Sequence, residues 1–137
     1  MAFVLSTDKL RVDREWLCSE LSTSVYWARW RTRADIEAQL DSAWRIVGAY
    51  DATTGAMLGF ARAFSDGVAL AYLADVYVHE SVRGQSIGKA IVREMIDGGP
   101  GATFRWMLHT GDAHGLYEKF GFSEPDGRYL ERRERRL

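Results

Sequence analysis

Val76-Tyr77-Val78-His79-Glu80-Ser81-Val82-Arg83-Gly84-Gln85-Ser86-Ile87-Gly88-Lys89-Ala90-Ile91-Val92-Arg93-Glu94-Met95 is the stretch that decides how this chain folds. It starts as a β-prone run, passes through a small polar turn and ends as an amphipathic helix. Arg83, Gly84, Ser86 and Gly88 stand at the turn, all small except the arginine. Small residues let a backbone come close to a ligand. A helix start offers N–H groups without intrahelical partners and the positive end of a dipole. The combination suits a phosphate group. Two other phosphate patterns, G-x-x-x-x-G-K-[ST] and G-x-G-x-x-G, do not occur in the chain.

Working outward from the turn, the hydrophobic period changes along the chain. Asp13 can cap a helix over 14–21, with Trp16, Leu17 and Leu21 on one side. Thr32-x-x-Asp35 reads as a capping box for a helix over 33–43 that carries Ile36, Leu40 and Ala43 on one face. Period two then takes over. Strands are expected at 45–50, 57–64 and 68–78, separated by turns at 51–55 and 65–67. A helix over 86–97 follows, with Ile87, Ala90, Ile91 and Met95 facing the sheet, and Gly98-Gly99-Pro100-Gly101 stops it. A strand at 103–108, a helix at 112–120 and an edge strand at 129–133 complete the order. The strand–helix–strand crossover over 70–108 requires a parallel, right-handed pairing. The expected fold is α+β: one domain over 1–137, with a mixed sheet that is an antiparallel meander first and parallel at its end, flanked by helices.

A second block lies one strand and two turns downstream, at Asp112-Ala113-His114-Gly115-Leu116-Tyr117-Glu118-Lys119-Phe120-Gly121-Phe122. The first block resembles the Q/R-x-x-G-x-G/A pyrophosphate loop of the GNAT superfamily of N-acetyltransferases. The second is similar to that family's A-x-x-x-Y-x-x-x-G-F signature. Ser86 stands where the family usually has Gly, and Thr110 where it usually has Asn. The resemblance is sharp over about 70–125. It implies a GNAT fold whose two central strands splay apart, with acetyl-CoA as co-substrate in the gap. Main-chain amides over Gly84, Gln85, Ser86, Ile87, Gly88 and Lys89 would hold the pyrophosphate, with Arg83 and Lys89 adding charge. Backbone groups of Val76, Tyr77 and Val78, with Thr110, would hold the pantetheine arm and the thioester.

Tyr117 is the candidate general acid, since a phenol can deliver its proton to a departing thiolate. Alternation along 72–79 would put Leu73, Asp75, Tyr77 and His79 on one face and Tyr72, Ala74, Val76 and Val78 on the other. Several family members have a Glu or His base at the places of Tyr72 or Ala74; this chain has neither. Asp75 is the nearest carboxylate. It either binds the acceptor ammonium or relays its proton through water, or it is a structural carboxylate tying down a loop or helix end. Tyr26-Trp27-Ala28-Arg29-Trp30-Arg31 falls on the connection that covers the acceptor in GNAT folds. There Tyr26 and Trp27 either stack on the acceptor or pack against the sheet, and Arg31 could clamp a carboxylate. Arg31 and Asp75 together suggest a small amine or amino-acid-like acceptor.

Bulk properties narrow the partners. The 137 residues carry 18 Lys+Arg against 19 Asp+Glu, a net charge of −1 that favours neither nucleic acid nor a membrane surface. Cys18 is the one cysteine, so no intrachain disulfide forms, and a buried structural thiol is expected. Three scattered histidines do not make a ligand set, so no metal is expected. No leader or apolar span is recognised, which points to a cytoplasmic protein. Relatives are often dimers, and the edge of the last strand could pair two copies. The leading expectation is an acetyl-CoA-dependent N-acetyltransferase acting by direct transfer in a ternary complex, with no covalent intermediate. The other is a non-catalytic acyl-CoA-binding sensor or interaction module.

Overall fold

The computed structural model describes residues 1–23 and 30–135. The chain runs β1 (Phe3–Ser6), α1 (Arg14–Thr23), α2 (Arg33–Ser42), β2 (Arg45–Asp51), β3 (Met57–Ser65), β4 (Leu70–Val78), α3 (Ile87–Met95), β5 (Arg105–Met107) and α4 (His114–Glu118). The strands form one sheet in the order β1-β2-β3-β4-β5. Pairing is antiparallel as far as β4, and β5 joins parallel to it. The meander and the crossover are those expected from the period change.

The capping box at the start of α2 is present. Asp35 N–H donates to Thr32 Oγ1 at 3.2 Å, and Thr32 N–H donates to Asp35 Oδ2 at 2.9 Å. Caps of this kind contribute about 1 kcal/mol. The helices cover both faces of the sheet. On one face Leu17 and Leu21 of α1 and Ile36 and Leu40 of α2 pack with Ile46, Tyr50, Phe60 and Tyr77. Cys18 is buried there, as expected, and burial pushes its thiol up. On the other face Ile87, Ile91, Val92 and Met95 of α3 pack on Val47, Ala49, Ala61, Ala63 and Leu73. The alanines keep the sheet surface low, so α3 lies close against it. Each buried α3 side chain contributes about 2 kcal/mol.

Two expectations fail. β1 was not foreseen: it is four residues long, too short to show a period, and it exists by pairing with β2. The edge strand expected at 129–133 is absent. That segment puts its two apolar residues side by side, Tyr129 and Leu130, and follows them with three charged ones, both apolar residues are exposed, and β5 offers a ladder of only three residues. The strand that was to pair two copies is therefore missing.

Candidate active site

The sheet opens between β4 and β5. They pair only at Leu70↔Arg105, Ala71↔Trp106 and Tyr72↔Met107. From Leu73 to Val78 the β4 edge that faced β5 has no strand partner among the described residues. Such an edge presents N–H and C=O groups that need partners. A bulge in β4 accompanies the opening. The register with β3 passes from Phe60↔Tyr77 to Arg62↔Ala74, so Asp75 and Val76 together oppose Ala61. Asp75 carries the kink, with φ +52°. Bulges bend a strand and increase its twist. This one also breaks the strict alternation expected here. Leu73 packs on the α3 side of the sheet, whereas Tyr77 packs on the α1 side, beside Trp16 at 6.1 Å between ring centroids.

Past Val78 the chain makes one 3-10 turn (Glu80–Val82) and enters the small-residue loop. Gly84 has φ +87°, and a Cβ there would meet nothing within 4 Å. Ser86 adopts φ +64° at the start of α3, and its side chain caps no helix amide. Ile87, Gly88 and Lys89 are thus the first residues of a helix whose starting N–H groups have no side-chain cap. A Cβ on Gly88 would reach only Val78 Cγ2, at an ordinary 3.6 Å. Packing within the chain does not require that glycine. Arg83 donates from Nε to Val78 C=O at 2.9 Å and lies over the Tyr77 ring, with its charged end exposed. Gln85 is exposed and Lys89 half-buried. His79 Nδ1 accepts from Ser81 N–H at 3.1 Å and so caps the 3-10 turn, and its Nε2 lies 3.2 Å from Glu20.

Behind the bulge sits a buried charge cluster. Asp75 accepts from Arg31 Nη1 at 2.8 Å and Nη2 at 3.0 Å, and from Arg62 Nε at 2.7 Å. Arg31 also donates to Gln39 Oε1 at 2.7 Å. The side chains of Arg31 and Asp75 are 3% and 4% exposed. Burial alone would raise the Asp75 carboxyl, but the bonds and charges of Arg31 and Arg62 outweigh it and hold the group below the usual carboxylate range. Arg31 and Asp75 were expected to meet opposite ends of an acceptor; they meet each other instead. These bonds tie the segment before α2 to β4. Tyr26 and Trp27 lie outside the described residues.

Tyr117 is on α4 and buried, edge-on to Phe122 at 5.8 Å. Burial and, after it, the nearby Asp112 push its phenol up to about 12. It lines a cleft of about 590 Å³ together with Leu108, His109, Thr110 and His114. Thr110 Oγ1 accepts from Ala113 N–H at 3.0 Å and so anchors the start of α4. Among the described residues no three His, Cys, Asp or Glu stand together as metal ligands. No described helix is long and apolar enough to cross a membrane.

One constellation was missed. Tyr72 on β4 hydrogen-bonds His109 Nδ1 just after β5, and His109 Nε2 lies 2.6 Å from Glu131. The pairs are 37 and 22 residues apart, so no local pattern could show them.

The sequence pattern described as Acetyltransferase (GNAT) domain matches residues 42–124, more than half of the chain. A Xanthomonas campestris pv. campestris structure assigned to the GNAT acetyltransferases is 30% identical, with a TM-score of 0.90 over 98% of this chain and 94% of that one. A Staphylococcus aureus protein of unknown function, classed with the acetyltransferases, is 21% identical with a TM-score of 0.79, over 98% of this chain and 100% of that one. Glucosamine-6-phosphate N-acetyltransferase from Arabidopsis thaliana shares the fold at 15% identity and a TM-score of 0.67, over 98% and 100%. No curated protein matches the chain.

Proposed function

The chain belongs to the GNAT family of acetyltransferases, and on that premise we propose that it moves an acetyl group from acetyl-CoA to a primary amine by direct attack in a ternary complex. The observation that carries the reading is the juxtaposition of two unsatisfied backbone surfaces. The uncapped start of α3 follows within a few residues of the unpaired Leu73–Val78 edge. The first suits a diphosphate and the second an amide-bearing arm. These residues fit coenzyme A. The amides from Gly84 to Lys89 would take the diphosphate, with Arg83 and Lys89 beside them. Val76, Tyr77 and Val78, with Thr110, would take the arm. When bound, acetyl-CoA supplies an acyl group already activated as a thioester.

Tyr117 is the general acid. With its phenol at about 12 it keeps its proton at neutral pH. Full transfer to a free thiolate, near 8.5, would be uphill by about 5 kcal/mol. Tyr117 therefore works by hydrogen-bonding the sulfur as charge develops, its proton passing as the attacking nitrogen becomes acidic enough to replace it. Asp75 and Arg31 support the acceptor side from behind, and Tyr26 and Trp27 are the residues proposed to contact the acceptor. The acceptor itself is a small amine or an amino-acid-like molecule.

Isothermal titration of the folded protein with CoA, against ATP as comparison, tests the foundation. Binding of CoA is expected; its absence removes the reading. The saturated Asp75 favours one rival, a domain that binds acyl-CoA without turning it over. Thiol release from acetyl-CoA with a panel of amines separates the two, and release above the amine-free rate rejects the rival.

A further inference from the structure

Resting on the transferase reading, we propose that Tyr72, His109 and Glu131 form the relay that deprotonates the acceptor, Tyr72 taking a proton from the substrate ammonium as it passes its own to His109. A base is needed, because an amine bound as ammonium has no lone pair with which to attack. Asp75 is occupied by two arginines. The relay stands where the sheet opens: Tyr72 opposes Met107, the last β5 residue, and His109 lines the cleft that holds Tyr117.

The direction of the relay follows from its donors. The Glu131 carboxylate can only accept, so His109 Nε2 carries a hydrogen toward it across 2.6 Å. In a neutral imidazole Nδ1 is then bare, and the hydrogen in the Tyr72–His109 contact is the phenol's. Phe64 stacks on Tyr72 with centroids 5.0 Å apart and planes within 11°, which holds the ring in place. Burial, then the neighbouring Tyr129 and Glu131, push the Tyr72 phenol up, so it keeps a proton to pass on. Among the described residues the charged and titratable groups around the relay are Arg62 from β3, Tyr129, Glu131 and Arg133 from the C-terminal segment, and His114, Tyr117, Glu118 and Glu124, which line the cleft with His109.

Protons balance as follows. An ammonium N–H bond breaks and an O–H bond forms at Tyr72. The original Tyr72 O–H breaks, and N–H forms at His109 Nδ1. The resulting imidazolium is held by Glu131, and exposed His109 releases that proton to water. The freed amine attacks the thioester carbonyl carbon, the C–S bond breaks, and the second nitrogen proton ends on sulfur by way of Tyr117. Tyr72 is the catalytic residue of the three; His109 and Glu131 act through it.

Two measurements test the relay. The first is the pH profile of kcat/KM with tyramine, spermidine and L-lysine as acceptors, in wild type, Y72F, H109Q and E131Q, with CoA affinity as the check on folding. Y72F and H109Q should lose about 100-fold near neutrality and recover as alkaline solution supplies free amine, and E131Q should lose about tenfold. The second is nitrogen NMR of the His109 ring in the free protein. It should show the Nε2–H tautomer in wild type and a tautomer mixture in E131Q. A wild-type ring already mixed, or an H109Q profile that overlays wild type, overturns the relay alone. A wild type that binds acetyl-CoA yet acetylates none of these amines overturns the transferase reading beneath it.

Discussion

The bulge within β4 and the turn that follows it lie about ten residues apart and treat polarity in opposite ways. At the bulge every Asp75 oxygen has a guanidinium partner, and Asp75 and Arg31 are buried. At the turn the first amides of α3 have no capping side chain, and Gly84 and Ser86 are exposed. Buried charge must be compensated within the protein, and at the bulge Arg31 and Arg62 supply that compensation. Exposed unpaired amides cost little in water and can exchange it for an anion, so the turn suits a ligand. The difference separates the carboxylate that looks catalytic in the sequence from the backbone that has room to bind.

The strongest way to break that contrast is Asp75→Ala. It leaves buried Arg31 and half-buried Arg62 facing each other and should cost about 3 kcal/mol in urea unfolding. A variant of wild-type stability with lost activity would return Asp75 to the reaction. The pH dependence sharpens the same point. The folded carboxyl is depressed, so its stabilisation is present above the ordinary value near 3.9 and is lost as pH falls through the lower folded value. The stability gap between wild type and Asp75→Asn should therefore be flat from neutrality down to about pH 4 and close below it.

Tyr117→Phe comes next. It should lower turnover tenfold or more, about 1.4 kcal/mol, with acetyl-CoA affinity little changed. Unchanged turnover removes Tyr117 from the mechanism. Gly84→Ala places a Cβ at φ +87° and should cost about 1 kcal/mol by thermal unfolding, with weaker CoA binding by calorimetry. An affinity equal to wild type would mean the turn does not touch the diphosphate. Smallest of all, Ser86→Gly should relieve the left-handed strain at φ +64° and add less than about 1 kcal/mol of stability.

Much of the fold was legible in the sequence because its signals are local. The period-two runs, the turn at Asp66-Gly67, the capping box of Thr32 and Asp35 and the apolar face of α3 each sit within a dozen residues, and each formed. The site was legible only where it is backbone. The strand–turn–helix passage over 76–95 reads directly, because glycine and small residues announce where main chain is exposed. Side-chain roles did not read so well. A single inserted residue at Asp75 shifts the face of every residue beyond it, which no alternation rule anticipates.

Order along the chain was thus enough to determine the β2–β3–β4 meander, its crossover to β5 and the amide-lined turn, since short-range torsional and hydrophobic preferences specify them. Which ionisable groups are spent and which remain available was decided by tertiary packing. Arg31 reaches Asp75 across 44 residues, and His109 joins Tyr72 to Glu131 across the open end of the sheet. Charges and protons respond to distance in space, and only the folded chain sets that distance.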